Sequence, residues 1–97
     1  MKHFIVEITY LIPAEQLVDV TPEHRAYLQV GYDAGKLLFS GPQVPKVGGI
    51  VVARAESLAE IEQFFAGDPY QKRGLATYRF IEFNPVKFQA FIEPWLT

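Results

Sequence analysis

The sequence predicts a single α+β domain in which an antiparallel sheet is covered on one side by two helices. Strand-like alternation of apolar residues begins at Phe4, and helix-start patterns occur at Thr21 and at Ser57. Gly and Pro residues separate the periodic segments, as expected at turns. A chain of 97 residues has the size of one domain, so we expect a core domain over 4–85 and an added apolar tail over 86–97.

The first predicted strand runs from Phe4 to Ile12. Its even positions are all apolar, whereas its odd positions mix apolar residues with Glu7 and Thr9. This period of two indicates one fully buried face and one partly buried face. Pro13 ends the strand, and residues 14–20 form a connector with room for one helical turn.

The first helix is predicted to start with Thr21 as the N-cap and Pro22 in the first helical position. It runs to about Ala34, where Gly35 supplies a left-handed stop. Helical spacing then separates two faces. The inward face carries His24, Leu28 and Gly31, and the solvent face carries Arg25, Gln29 and Asp33.

Two further strands follow as a hairpin. The second strand covers Lys36 to Ser40 and is ended by Gly41 and Pro42, and the third covers Ile50 to Arg54 after a pair of glycines. The loop between them contains Pro and Gly residues, which favours an antiparallel connection.

The second helix and the last strand complete the order of elements. Ser57 and Glu60 have the spacing of a capping box, and Gly67 stops the helix that follows. Asp68 before Pro69 is predicted to cap a short turn that Gly74 closes. The fourth strand covers Ala76 to Phe83, Asn84 and Pro85 break it, and the apolar residues of Val86–Ile92 alternate again.

The resulting order, β-α-β-β-α-β, is the split βαβ arrangement of ferredoxin-like domains. Two helices on one side leave the other face of the sheet open. Because 49% of the residues are hydrophobic, more than a small monomer easily buries, we expect a homo-oligomer, most simply a dimer with the tail at its interface. The polar residues expected on or near the open face are Glu7, Thr9, Ser40, Thr77 and Arg79.

Composition argues against several classes of function. The net charge is −2 and no run of Lys or Arg occurs, so a nucleic-acid partner is not expected. The apolar stretches are too short for a membrane span, and the first residues lack the pattern of a signal peptide. With no cysteine, disulfides and thiolate chemistry are excluded, and a cytoplasmic location is the default expectation.

His24 is the strongest candidate for acid–base chemistry, because it is one of only two histidines and lies on the inward face of a helix. Asp68 is the candidate partner that would orient its ring. The alternatives are a histidine satisfied by a backbone carbonyl and an aspartate that serves only as a cap.

Four more residues are candidates for substrate binding: Ser40, Gly41 and Pro42 at the end of a strand, and Tyr70 two residues after Asp68. Turn formation and core packing are the alternative roles. A serine nucleophile is not expected, since no Gly-x-Ser-x-Gly elbow is present. A phosphate loop and a metal site are not expected either, since no Walker lysine follows the Gly pair and the two histidines lack ligand spacing.

Taken together, these motifs resemble the YCII-related family of small proteins. The matching features are His24 inside the first helix, the Gly-x-Leu-Leu-x-x-Gly-Pro stretch from Gly35 to Pro42, the Gly48-Gly49 pair, and Asp68-Pro69-Tyr70 followed by Gly74. The resemblance covers about residues 4–85. In this chain Arg25 follows the histidine directly, and the tail after Pro85 lies beyond the shared pattern.

The resemblance implies a ferredoxin-like fold that dimerises into an α+β barrel, with an active site built on a His–Asp pair at His24 and Asp68. It also implies a lyase step, the elimination of chloride from a hydroxylated chloroaromatic, as one activity among members.

The leading hypothesis is therefore a small cofactor-free enzyme, lyase-like or isomerase-like, acting on a small phenolic or enolic substrate. Phe4, Tyr10 and Tyr27 are expected to line its apolar pocket. The rival hypotheses are a non-catalytic module that binds small molecules, a purely structural dimeric domain, and a haem or flavin monooxygenase of similar fold.

Overall fold

The computed structural model describes residues 1–97 and contains one four-stranded sheet. Its strands are β1 (Lys2–Tyr10), β2 (Leu37–Pro42), β3 (Gly48–Ala55) and β4 (Ala76–Phe83). They lie in the order β2-β3-β1-β4, and every neighbouring pair is antiparallel. The predicted α+β fold of ferredoxin-like topology is confirmed.

Four helices and two short 3-10 turns connect or follow the strands. The first two helices, which pack on one face of the sheet, are α1 (Thr21–Asp33) and α2 (Leu58–Ala66). A single helical turn, α3 (Pro69–Lys72), leads into β4, and α4 (Glu93–Leu96) lies in the tail. The 3-10 turns are Ala14–Gln16 and Ala90–Ile92. None of these helices has both the length and the apolar character needed to cross a bilayer.

The core lies between the sheet and the helices. The even-numbered residues of β1 point into it as predicted, and Phe4, Val6 and Ile8 are all buried. Ile61 and Phe65 of α2 pack against them from the helical layer. Each such side chain contributes roughly 1.5–3 kcal/mol through removal of apolar surface from water. β1 starts and ends two residues earlier than expected, because Leu11 and Ile12 already belong to a bend.

The start of α1 differs from the prediction. The N-cap is Val20, which makes no capping hydrogen bond with its side chain, and Thr21 is already helical. Thr21 Oγ1 instead donates to the Leu17 carbonyl at 2.9 Å, because the connector's own helical turn places that carbonyl one turn before it. The predicted stop is correct, since Gly35 has a φ of +74°.

Gly31 allows α1 to pack unusually close to its neighbours. A Cβ atom at this position would lie 2.6 Å from the ring of Phe64 in α2 and 2.9 Å from Leu37 in β2. A side chain at this position would have to displace the side chains of Phe64 and Leu37. Glycine at Gly31 therefore lets α1 contact both α2 and β2 at this point.

The hairpin strand β2 also differs from the prediction. It extends through Gly41 and Pro42, which were expected to follow it. Proline is tolerated here because β2 is an edge strand, whose outer N–H groups have no ladder partner. An irregularity in register between Leu37 and Phe39 directs Ser40 to the helical side, opposite Val51. The expectation of Ser40 on the open face is therefore wrong.

The open face of the sheet carries an apolar row across all four strands. The strand register places Phe39, Val52, Ile5 and Ile81 side by side in that order. The neighbouring row contains a charged pair, Glu7 opposite Arg79, next to Ile50 of β3. The open face thus has a mixed apolar and polar character, as predicted for the strands other than β2.

The tail folds back onto one end of this open face and contains no strand despite its alternating pattern. The Trp95 ring packs 4.8 Å from the Arg54 guanidinium, and Arg54 Nη1 donates to the Trp95 carbonyl at 2.7 Å. The tail therefore packs on its own sheet at Trp95, through the contact with Arg54.

Candidate functional site

A cavity of about 370 Å³ opens on the helical side of the sheet, between α1 and the ends of β1, β2 and β3. Five of the predicted site residues line it: His24, Ser40, Gly41, Pro42 and Tyr70. Asp68 does not line the cavity but lies behind His24. The fold thus brings together all six residues singled out from the sequence, although they come from three separate segments of the chain.

The innermost feature of the site is the contact between His24 and Asp68. Nδ1 of His24 lies 2.8 Å from Oδ1 and 3.0 Å from Oδ2 of the carboxylate. Asp68 is 0% exposed and the His24 side chain is 12% exposed. Because an ionised carboxylate only accepts hydrogen bonds, Nδ1 carries the hydrogen. Nε2 is then the nitrogen available to a ligand.

Asp68 has two further partners. Its Oδ1 accepts from the Tyr70 backbone N–H at 3.2 Å, which is the predicted N-cap of α3. Its Oδ2 accepts from the Tyr78 hydroxyl at 2.7 Å. Capping and pairing with histidine therefore coexist on one carboxylate. The surrounding donors hold a buried negative charge in a fixed orientation.

Tyr78 remains a neutral donor over the whole ordinary pH range. Burial raises the pKa of its phenol far above 10, and the hydrogen bond to Asp68 together with the negative charge of that carboxylate raises it further. Tyr78 lies on β4, directly opposite Ile8, and its side chain points to the helical layer.

Tyr70 positions the imidazole from the other side. The two rings stack with centroids 4.0 Å apart and planes inclined by 10°. The Tyr70 hydroxyl lies 2.7 Å from Oγ1 of Thr21, whose own hydrogen is donated to Leu17. Tyr70 must therefore be the donor in this pair, and its proton is engaged within the protein.

Ser40 and Tyr32 form the polar edge of the cavity. Their hydroxyl oxygens share a hydrogen bond of 2.6 Å across the gap between β2 and α1. Only one of the two hydrogens is used in that bond, so one hydroxyl hydrogen remains free for a ligand. Gly41 and Pro42 form the adjacent wall.

The three aromatic residues expected in the pocket have different positions. Tyr10 does line the cavity. Burial is the main cause that raises the pKa of its phenol, the nearby Tyr70 raises it further, and Arg25 acts in the opposite direction. Phe4 is part of the closed core, and Tyr27 packs on Phe64 in the interface of α1 with α2. The expectation for these two residues is wrong, because neither lines the cavity.

Four functional candidates were not identified from the sequence. Tyr78 donates to Asp68, Thr21 accepts from Tyr70, and Tyr32 shares a hydrogen bond with Ser40. Arg25 lies on the predicted solvent face of α1 but also lines the cavity. The alternation of β4 does put Tyr78 on the buried face, but only the sheet register shows that it reaches Asp68.

A model of the YCII-related domain matches residues 3–84 of the chain. The chain belongs to the YCII-related family. The match includes all six predicted site residues and excludes the tail over 86–97. The family assigned by resemblance is therefore confirmed.

Two curated relatives share this family's sequence pattern. Protein YciI of Escherichia coli O6:H1 and Protein YciI of Shigella flexneri are each 33% identical to this chain over 84 residues, covering 75% of this chain and 83% of theirs.

A solved structure shares the fold of this YCII-related chain. It is the 5-chloro-2-hydroxyhydroquinone dehydrochlorinase TftG from Burkholderia phenoliruptrix AC1100, in complex with 2,5-dihydroxybenzoquinone. The TM-score is 0.67 at 22% identity, over 90% of this chain and 93% of that chain. The likeness supports the same ferredoxin-like architecture.

Proposed function

We propose that this YCII-related protein is a small enzyme that performs general acid–base chemistry on a phenolic or enolic substrate. The observation that carries the proposal is the hydrogen bond from His24 Nδ1 to the buried carboxylate of Asp68, at the inner wall of a cavity. This arrangement fixes the tautomer of the ring and stabilises the imidazolium that forms when Nε2 accepts a proton.

The chemical step uses only side chains. Nε2 of His24 accepts a proton from a substrate O–H or C–H group, and the electron pair left behind forms a C=O or C=C bond. In a lyase reaction the proton comes from a C–H group, the electron pair left behind forms a C=C bond to the neighbouring carbon, and the leaving group, such as chloride, departs from that carbon with its bonding electrons. In an isomerase reaction the imidazolium returns the proton to a different carbon. Asp68 takes no proton from the substrate and acts as a positioning residue for the His24 ring.

The shape and lining of the cavity suit a small planar molecule. The ring of Tyr10 and the apolar side chains of Leu28 and Ile8 offer contact surface, and the hydroxyl pair of Ser40 and Tyr32 offers a hydrogen bond at the opposite edge. A dehydrochlorinase of the same fold has been solved with a dihydroxybenzoquinone, a planar ligand of this kind. Tyr70 contributes by stacking on His24 and not by donating a proton.

The proposal is tested by chloride release from 5-chloro-2-hydroxyhydroquinone and, in parallel, by NMR of proton–deuterium exchange in a panel of enolisable ketones and phenols. His24→Asn should lower kcat/KM by about 1,000-fold, because a positioned general base typically contributes a factor of this order. The matched control is His3→Asn, which removes the chain's other imidazole and should leave turnover within about twofold.

A second candidate function, a module that binds small molecules without chemistry, uses the same cavity. It is favoured if 2,5-dihydroxybenzoquinone binds to the wild-type protein but no compound of the panel is converted faster than with His24→Asn. Equal turnover by the wild type and by a folded His24→Asn variant would contradict the enzymatic proposal.

We also propose that two copies of the chain pair through their open sheet faces. The apolar row that ends at Phe39 supports this, since Phe39 is 63% exposed in the single chain and aligned with Val52, Ile5 and Ile81. The wild-type protein should have the mass of two 11.0 kDa chains by light scattering after gel filtration.

Phe39→Glu should shift this mass to that of one chain, because a charge would be placed in the apolar contact. Val44→Glu is the control, since Val44 is 96% exposed in the loop between β2 and β3. A wild-type protein that elutes as a monomer at micromolar concentration would exclude this interface.

A further inference from the structure

The cavity at His24 continues into a second lobe. That lobe has a volume of about 510 Å³ and lies between the connector before α1 and the loop between β2 and β3. The two lobes share five lining residues, which are Tyr10, Thr21, Arg25, Pro42 and Tyr70. A ligand that reacts at His24 therefore has room to extend past Arg25 into the second lobe.

The lining of both lobes is positively charged. Arg25 borders the two lobes and Lys46 borders the second, whereas no Asp or Glu lines either one. This is unusual for a chain with 11 acidic and 9 basic residues. The one carboxylate nearby, Asp68, is buried behind His24 and is engaged by its own donors.

Neither cation is neutralised within the protein. The ion pairs of the chain involve His24, Lys36, Arg73 and Arg79, and neither Arg25 nor Lys46 takes part in one. The closest acidic residue in sequence, Glu23, is held by Arg73 at 2.9 Å. Two cations without an ion-pair partner, in a lining without acidic residues, attract an anionic group, and a guanidinium matches the geometry of a carboxylate.

From this charge distribution we infer that the substrate is an elongated anion, with its phenolic or enolic end at His24 and a carboxylate end between Arg25 and Lys46. The inference rests on the proposed function, to which it adds the substrate class. Arg25 then acts as a specificity-determining residue, because it selects acids over neutral compounds of the same shape.

The experiment compares a matched pair of probes, para-hydroxyphenylpropanoate and its neutral amide, by isothermal titration calorimetry. The wild type should bind the acid about tenfold or more tightly than the amide, which corresponds to one charge-assisted contact. Arg25→Gln should remove most of this preference and Lys46→Gln part of it, with amide binding unchanged within about twofold. Raising the salt concentration from about 0.05 M to about 0.5 M should weaken binding of the acid but not of the amide.

Lys87→Gln is the control variant, because Lys87 is exposed and borders neither lobe. All three positions are exposed, so folding should be unaffected, which circular dichroism checks. Equal binding of acid and amide, an unchanged preference in Arg25→Gln, or no binding of either probe at millimolar concentration would each overturn the inference. None of these results affects the dependence of turnover on His24, so failure of this inference is distinguishable from failure of the proposed function.

Discussion

Both histidines of this chain lie against an aromatic ring, but only one of them contacts a carboxylate. His24 stacks on Tyr70 with ring centroids 4.0 Å apart, and His3 lies against Trp95 with ring centroids 5.7 Å apart. Both are largely removed from solvent. His24 contacts a buried carboxylate, whereas Nε2 of His3 is buried and has no hydrogen-bond partner.

The charges around the two rings explain why only one region is suited to proton transfer. His3 is 6% exposed, and its pKa is lowered mainly by burial and further by the positive charges of the N-terminus and Arg54. An imidazolium there has no compensating anion. At His24 the compensating anion is Asp68. Burial and an aromatic neighbour are common to both rings, so the proposed acid–base role of His24 depends on the carboxylate of Asp68.

The largest effect on turnover should come from removing the carboxylate charge beside His24, which leaves its ring without a compensating anion, as at His3. Asp68→Asn keeps a capping oxygen for α3 but removes the negative charge, so the imidazolium loses its partner. We expect kcat/KM to fall by about 1,000-fold. The free energy of unfolding should fall by about 2–3 kcal/mol, because donors that the buried carboxylate satisfied lose a charged acceptor. Steady-state kinetics and urea denaturation measure the two quantities.

Tyr78→Phe is the graded comparison for that variant. It removes one donor and leaves the charge, so stability should fall by about 1 kcal/mol and turnover much less than in Asp68→Asn. If Asp68→Asn proved as active as the wild type, the carboxylate would not be what distinguishes the two histidines.

A smaller effect is expected at His3, and it concerns stability alone. Its folded-state pKa lies below the unfolded value of 6.5, so the unfolded chain binds the proton more readily. His3 therefore makes the free energy of unfolding fall as the pH drops from about 7 through 6.5 and on toward its lower folded-state pKa. His3→Phe should show a smaller fall over this range and retain the packing on Trp95.

Urea denaturation of the wild type and of His3→Phe at pH values between about 5 and 7 measures this difference. Parallel pH profiles of the two proteins would show that His3 does not titrate differently on folding. Turnover of His3→Phe should equal that of the wild type, which separates the two histidine regions by function.

Local signals were sufficient to predict much of the fold. The N-cap at Ser57 is correct, since its Oγ accepts from the Glu60 backbone N–H at 3.1 Å, although the Glu60 carboxylate accepts from the Glu56 N–H and so does not complete the capping box. The bounds of β4 are as predicted. The cap at Asp68 is also correct. These features depend on residues within a few positions of one another, where backbone preference and side-chain chemistry act together.

Features that depend on distant segments were not predictable in the same way. The bond from Tyr78 to Asp68 requires the pairing of β4 with β1, and the packing of Trp95 on Arg54 requires the tail to fold back over the sheet. Thr21 has the residue type and position of an N-cap, but its hydroxyl donates to the Leu17 carbonyl of the preceding turn instead. The second lobe, with Lys46, arises only when two loops meet.

Asp68 caps α3 through the Tyr70 N–H and also bonds the His24 ring, so the position of the ring depends on α3 staying folded. When α3 frays, the Tyr70 N–H leaves the carboxylate and the ring of Tyr70 leaves the face of His24 in the same event. A local opening of this four-residue helix would therefore switch off the site long before the sheet unfolds. Heat inactivation would then occur at a lower temperature than global unfolding. The difference between the two temperatures would measure how strongly the Asp68 cap holds α3 in place.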